Sequence, residues 1–300
     1  MIREKQITAG KLFQSDFYPC WSDGRRMPSR APKTKRSTPE QEKYNNNKAI
    51  KEATFLINEN FDNTDNILTI TFAPEFAPQS EKEARNLLTN YIRCIKRFRI
   101  KELIKVTQAL EALPDTKALA DQRKALELKK KKLSAPFKYF YVIEKVTYQR
   151  GKYKGRDNWH FHLFVTGGID RKNLEDKWPY GVRCNADRFQ PERFGPEAMA
   201  KYMMKDPQGS KRFSCSRNMD RDYKDPKIKK SKLSAGGLER IAKQRIDDRE
   251  YWEKRYKGYR FIRCYSRYND YNGHWYVSVI MWKDGDGPLP RWDFDDWQDY

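Results

Sequence analysis

The sequence predicts an α+β fold in which a central antiparallel sheet is flanked by helices. Three observations lead there. Short β-branched and aromatic runs punctuate the middle of the chain, at Ile67–Phe72, Lys138–Tyr148 and Trp159–Val165. Two of them are joined by a basic, glycine-bearing turn, Arg150–Arg156, which suits an antiparallel hairpin. Between the strands lie stretches of helical period, the clearest from Ser80 to Arg99. With 300 residues, the chain is long enough to bury a sizeable core in one or two domains.

Taken in order, residues 1–60 read as a basic, flexible N-terminal arm. Lys, Arg, Ser, Pro and Asn crowd it without a clear period. A domain over 61–283 follows. Its first core strand is Ile67–Phe72, alternating and bounded by Asn and Pro. From Ser80 onward Ala84, Leu87, Leu88, Tyr91, Ile92 and Ile95 recur at helical spacing, and Ser80 with Glu83 forms a capping-box pattern. Residues 101–134 read as a helical insertion of two helices, 101–112 and 115–132, parted by Pro114-Asp115. The run Lys129–Lys132 is either a solvated face or a phosphate contact.

After the hairpin, a short helix and a strand near Gly181–Asn185 are expected. Gly195-Pro196-Glu197 then opens a helix running to Lys205, with proline in its first turn. Lys211–Arg217 reads as a strand, 218–233 as a basic loop, and Leu238–Tyr256 as a helix. Phe261–Tyr268 and Trp275–Trp282 pair as a last hairpin, and 284–300 is an acidic aromatic tail.

The formal charge of +21 points to polyanionic partners. Five cysteines lie far apart with no CxxC, which suits free thiols in a reducing cytosol. No apolar run reaches the length of a membrane span, and no signal-peptide core opens the chain, so a cytoplasmic location without membrane contact is expected.

The chemistry concentrates in Trp159-His160-Phe161-His162-Leu163-Phe164-Val165. Strand alternation places His160 and His162 on one face, and Phe161, Leu163 and Val165 on the other. Two of the three histidines in the chain are here. Counted back across a turn centred near Tyr153, Glu144 falls opposite His162 and on its face. Two neutral imidazoles and one carboxylate can hold a divalent ion with positions left open, an arrangement useful for polarising a phosphoryl oxygen. Surface histidines beside an edge-strand acid are the alternative. Tyr202 and Lys205, at i and i+3, project from one helix face. A buried helical tyrosine beside a solvated lysine would share that spacing.

In sequence, the strand ILTITF, the strand HFHLFV with its Glu-bearing partner, and the helix YMMK resemble the three motifs of the HUH endonucleases. These enzymes initiate rolling-circle replication in plasmids and single-stranded DNA phages. The resemblance covers roughly Ile67 to Arg217, and it implies an RRM-like sheet of about five strands for the 61–283 domain. It implies His160, His162 and Glu144 as ligands of Mg²⁺ or Mn²⁺, Tyr202 as a nucleophile left on a 5′ phosphate, and Lys205 as its assistant. Just one tyrosine stands on this helix, which fits the single-tyrosine branch.

Lys201, Lys211, Arg212 and Arg217 are expected to touch DNA phosphates. No P-loop GxxxxGK[ST] occurs, so unwinding would fall to a host helicase, and the freed 3′ end to a host DNA polymerase in a bacterial cell. A related relaxase or transposase would use the same chemistry. A non-catalytic RNA- or DNA-binding module on the same kind of sheet is the rival from another class.

Overall fold

The computed structural model describes residues 1–20, 38–150, 152–181, 183–190, 197–204 and 211–285. The α+β expectation holds, but the described residues form two five-stranded sheets. In chain order the first elements are β1 (Ile2–Ala9), β2 (Leu12–Pro19), α1 (Pro39–Asn60), β3 (Asn66–Thr71), α2 (Glu81–Ala112) and α3 (Ala120–Ser134). The hairpin strands are β4 (Tyr139–Thr147) and β5 (Asp157–Val165), followed by α4 (Arg171–Asp176), β6 (Arg183–Arg188) and α5 (Ala198–Met203). The chain continues through β7 (Ser214–Cys215), β8 (Lys227–Lys230), α6 (Ala235–Gln244), α7 (Arg249–Arg255), β9 (Tyr259–Asn269) and β10 (His274–Lys283).

Two compact units result. One comprises Met1–Asn60, Pro191–Lys201 and Asp220–Tyr300; the other comprises Phe61–Gln190 and Tyr202–Met219. The reading of 61–283 as one domain behind an arm is therefore corrected. Residues 2–19 of the supposed arm are a tight hairpin whose partners are β8 and β10, in the order β8-β1-β2-β10-β9. The two-residue turn needs Gly10, which sits at φ +58, and a Cβ there would lie 2.0 Å from the Asn58 carbonyl oxygen of α1. The basic loop expected over 218–233 contains β8, paired antiparallel with β1. The acidic tail from 286 onward lies outside the described residues.

In the Met1-containing unit, one sheet face buries Phe13, Phe17, Val277, Val279 and Met281 against Leu238, Ile241 and Trp252 of α6 and α7. The single helix expected over 238–256 is broken, because Asp248 starts a new turn by accepting a hydrogen bond from the Tyr251 N–H. On this buried face Glu4 is only 2% exposed. Burial alone would raise its pKa. Hydrogen bonds from Gln6 and from the Tyr256 hydroxyl (2.9 Å), with the Arg255 and Lys229 charges at 3.2 and 3.5 Å, instead leave it below its ordinary 4.5.

An acid whose folded pKa is lowered stabilises the fold fully above its unfolded value. That contribution is lost as pH falls through the lowered folded value. Glu4→Gln should therefore flatten the acid limb of stability against pH, followed as the urea midpoint from neutrality down through the carboxylate range. An acid limb as steep as wild type would remove Glu4 as its source.

The other sheet has the order β6-β3-β5-β4-β7, all antiparallel. Its inner face carries Leu68, Ile70, Tyr141, Ile143, Phe161 and Leu163, packed on Ala84, Leu88, Tyr91, Ile92 and Ile95 of α2. Ser80 caps α2 by accepting from the Glu83 N–H at 3.2 Å. The helix does not stop near residue 100; it runs 32 residues to Ala112, because neither Gly nor Pro interrupts it. The first helix of the expected insertion is thus the end of α2.

Arg99, 3% exposed, ties α2 to the end of α3 by donating to the carbonyls of Lys132, Leu133 (3.2 Å) and Ala135 (2.9 Å). Phe161 is fully buried, edge-on to Phe72 and Tyr141 at 6.0 Å. Phe161→Ala should cost about 3–5 kcal/mol, read as a drop in urea midpoint at unchanged m. A loss below about 1 kcal/mol would take this ring out of the core. The five cysteines are free thiols, and no helix among the described residues is long and apolar enough to cross a membrane.

Candidate metal-binding and nicking site

The outer face of the β3–β5–β4 sheet is built by alternation. The side chains that do not face α2 are Thr69 and Thr71 on β3, His160 and His162 on β5, and Val142 and Glu144 on β4. The register pairs Glu144 with His160 and Val142 with His162. The expected pairing of Glu144 with His162 is off by two residues, since the hairpin turns about Lys152 rather than Tyr153. A shift of two keeps Glu144 on the same face. It lies diagonal to His162, with Glu144 Oε2 3.6 Å from His162 Nε2.

One end of this face is closed by aromatic rings. Phe164 touches Phe61 (5.4 Å), Phe140 (6.2 Å) and Phe189 (5.1 Å), and Phe140 stacks on Phe213 at 5.1 Å. Against that apolar patch His162 is 4% exposed, while His160 is half-buried. Burial pushes both imidazoles below their ordinary pKa; Glu144 opposes the shift at each, and His162 adds to it at His160. Both rings are therefore neutral near pH 7, the state that offers a lone pair to a cation.

The Thr69 hydroxyl stands 3.5 Å from His162 Nδ1, on the side of the ring away from Glu144. A contact there steers Nε2 toward the carboxylate, as an outer partner of a ligating histidine does. Sequence reasoning assigned Thr69 no role. Its signal was present in the alternation of ILTITF, but it needed the β3–β5 register to become legible.

The carboxylate suits Mg²⁺ or Mn²⁺ and the two imidazoles suit a softer divalent ion, and a 3.6 Å separation is one that a single ion with bonds of about 2.1 Å can bridge. The arrangement is incomplete, however. Among the described residues no group of three His, Cys, Asp or Glu side chains is gathered closely enough to hold an ion.

Glu144, His160 and His162 thus share one face. Tyr202 is described as helical backbone in α5, in the same compact unit, and its side chain lies outside the described residues, as does all of Lys205. Lys211, Arg212 and Arg217 flank the edge strand β7, with Lys211 and Arg217 exposed. Lys201 lies on the other side of the unit boundary, 3.9 Å from Glu197. Burial pushes the Glu197 carboxyl up to about 7, and Lys201 is the nearest opposing charge. No protein-family model, curated protein or solved structure matches the chain.

Proposed function

We propose that the protein is a metal-assisted endonuclease and strand transferase for single-stranded DNA, acting as a replication initiator. The observation that carries this reading is the shared face of Glu144, His160 and His162, with two donors 3.6 Å apart and both imidazoles held neutral by burial. The order of the three sequence motifs and the charge of +21 support the same choice of substrate.

In the reaction proposed, the Tyr202 phenol oxygen bonds to the scissile phosphorus as the bond to the 3′ oxygen breaks. The phenol proton passes to that oxygen by way of solvent. The products are a 5′-phosphotyrosine and a free 3′ hydroxyl. The phosphodiester energy is kept in the adduct, so reversal of the step rejoins strands without ATP. Lys205 steadies the phosphate, and Lys211, Arg212 and Arg217 hold the strand. Bound Mg²⁺ or Mn²⁺ supplies charge neutralisation at the phosphoryl oxygens. Host helicase and DNA polymerase act on the products in a bacterial cytoplasm.

The test is a single-stranded hairpin oligonucleotide incubated with the full chain and Mg²⁺ or Mn²⁺, resolved on a denaturing gel. A covalent protein–DNA band that disappears with EDTA is expected. The charge of +21 on a chain built around antiparallel sheets favours one second reading, a nucleic-acid-binding module without catalysis. That reading predicts binding that is indifferent to chelators, and no covalent band with either metal.

A further inference from the structure

In the sheet of the Met1-containing unit, the face turned away from Phe17 and Val277 buries Ile7, Leu12, Ile280 and Trp282 at one end and carries half-buried aromatic and charged side chains at the other. Register places Lys230 of β8 beside Arg3 of β1, Arg3 beside Tyr18 of β2, and Arg267 of β9 beside Tyr276 of β10. β2 and β10 are themselves paired, with Phe17 opposite Val277, so Tyr18 and Tyr276 neighbour one another on the face turned away from Phe17 and Val277. The result is a row across all five strands, reading Lys, Arg, Tyr, Tyr, Arg. At about 4.8 Å per strand it spans roughly 19 Å, room for a few nucleotides.

The same face holds a cavity of about 760 Å³, within the usual size of small-ligand sites. Its walls include Tyr18, Tyr265 and Tyr276 together with Lys51, Arg263 and Arg267. The single carboxylate in the lining, Asp16, is engaged inside the protein. It accepts from Gln14 at 2.6 Å and from the Ser278 hydroxyl, and lies 3.7 Å from Lys51. Three cations line the cavity against Asp16, with the buried Glu197 also within electrostatic reach of Lys51 and Arg263; positive charge remains in excess, and the tyrosine rings add flat apolar surface.

We propose that this face binds an unpaired stretch of single-stranded DNA, with bases stacked on Tyr18 and Tyr276 and phosphates on Arg263 and Arg267. Planar guanidinium groups fit phosphate oxygens, and aromatic rings accept any base, so the site reads single-strandedness rather than sequence. The choice of DNA over RNA rests on the nicking reading; the site itself does not.

The experiment is fluorescence anisotropy of the full chain with a short labelled oligothymidylate, titrated at several salt concentrations. Tyr276→Ala should weaken binding about 5- to 150-fold, and Tyr276→Phe should restore it, because the ring and not the hydroxyl is required. Arg267→Ala should weaken binding and reduce the salt slope by about 0.7, the value for one phosphate on a single strand. Loss of oligothymidylate binding in Tyr276→Ala supports the inference even if no adduct ever forms. Unchanged binding in both Ala variants overturns it even if nicking is robust. Tighter binding of oligouridylate, of duplex DNA or of polyglutamate at these residues also overturns it.

Discussion

Tyr202→Phe should abolish the covalent adduct completely while binding of the same hairpin stays within about twofold of wild type. The substitution removes one oxygen, so it leaves helical propensity and ring volume nearly unchanged. No other atom on that ring can bond to phosphorus. Loss of a nucleophile that works as part of a unit removes most of the rate enhancement, about 10⁶-fold in well-studied hydrolases. The expected gel therefore shows no band at any time, with the thermal midpoint unchanged. A band that persists in this variant excludes Tyr202 and sends the search to another of the 18 tyrosines.

His162→Ala should lower metal-dependent cleavage by at least about a hundredfold, since losing even an outer partner of a ligand costs 10- to 100-fold. It should also raise the Mn²⁺ concentration needed for half-maximal rate. His162 is 4% exposed, so the variant is paired with His160→Ala, whose half-buried ring costs less to remove. Both should lose cleavage and retain oligonucleotide binding. Cleavage at the wild-type rate in EDTA would refute metal assistance outright. A Thr69→Val chain should show a smaller loss, about tenfold, if the contact with His162 Nδ1 serves to aim the ring.

The strands and helices around the histidines were legible because their patterns are strong and local. Ile67–Phe72 alternates, Phe161 and Leu163 face α2 as period two requires, and Ser80 with Glu83 marks the start of α2. What was missed has physical causes. The 32-residue α2 was cut short although no breaker residue stands within it. β1 and β2 were hidden because charged and polar residues take eight of their sixteen positions, which blurs the period of two, and because the basic stretch that follows them lends the whole segment the composition of a tail. The signal that could have exposed them was Gly10 between two eight-residue segments, the mark of a two-residue hairpin turn. At the candidate site, the face was readable from alternation. The pairing partner was not, since one residue's error in the turn centre moves the register by two.

The margin of the first sheet bears on how the protein behaves in concentrated solution. β8 is four residues long, all exposed, and three of them are lysines. An incoming copy adding a strand alongside would bring its own ammonium groups against these, on a ladder too short to offset the repulsion. Strand-to-strand polymerisation is therefore discouraged there, and a chain rich in open sheet keeps one border guarded against self-association.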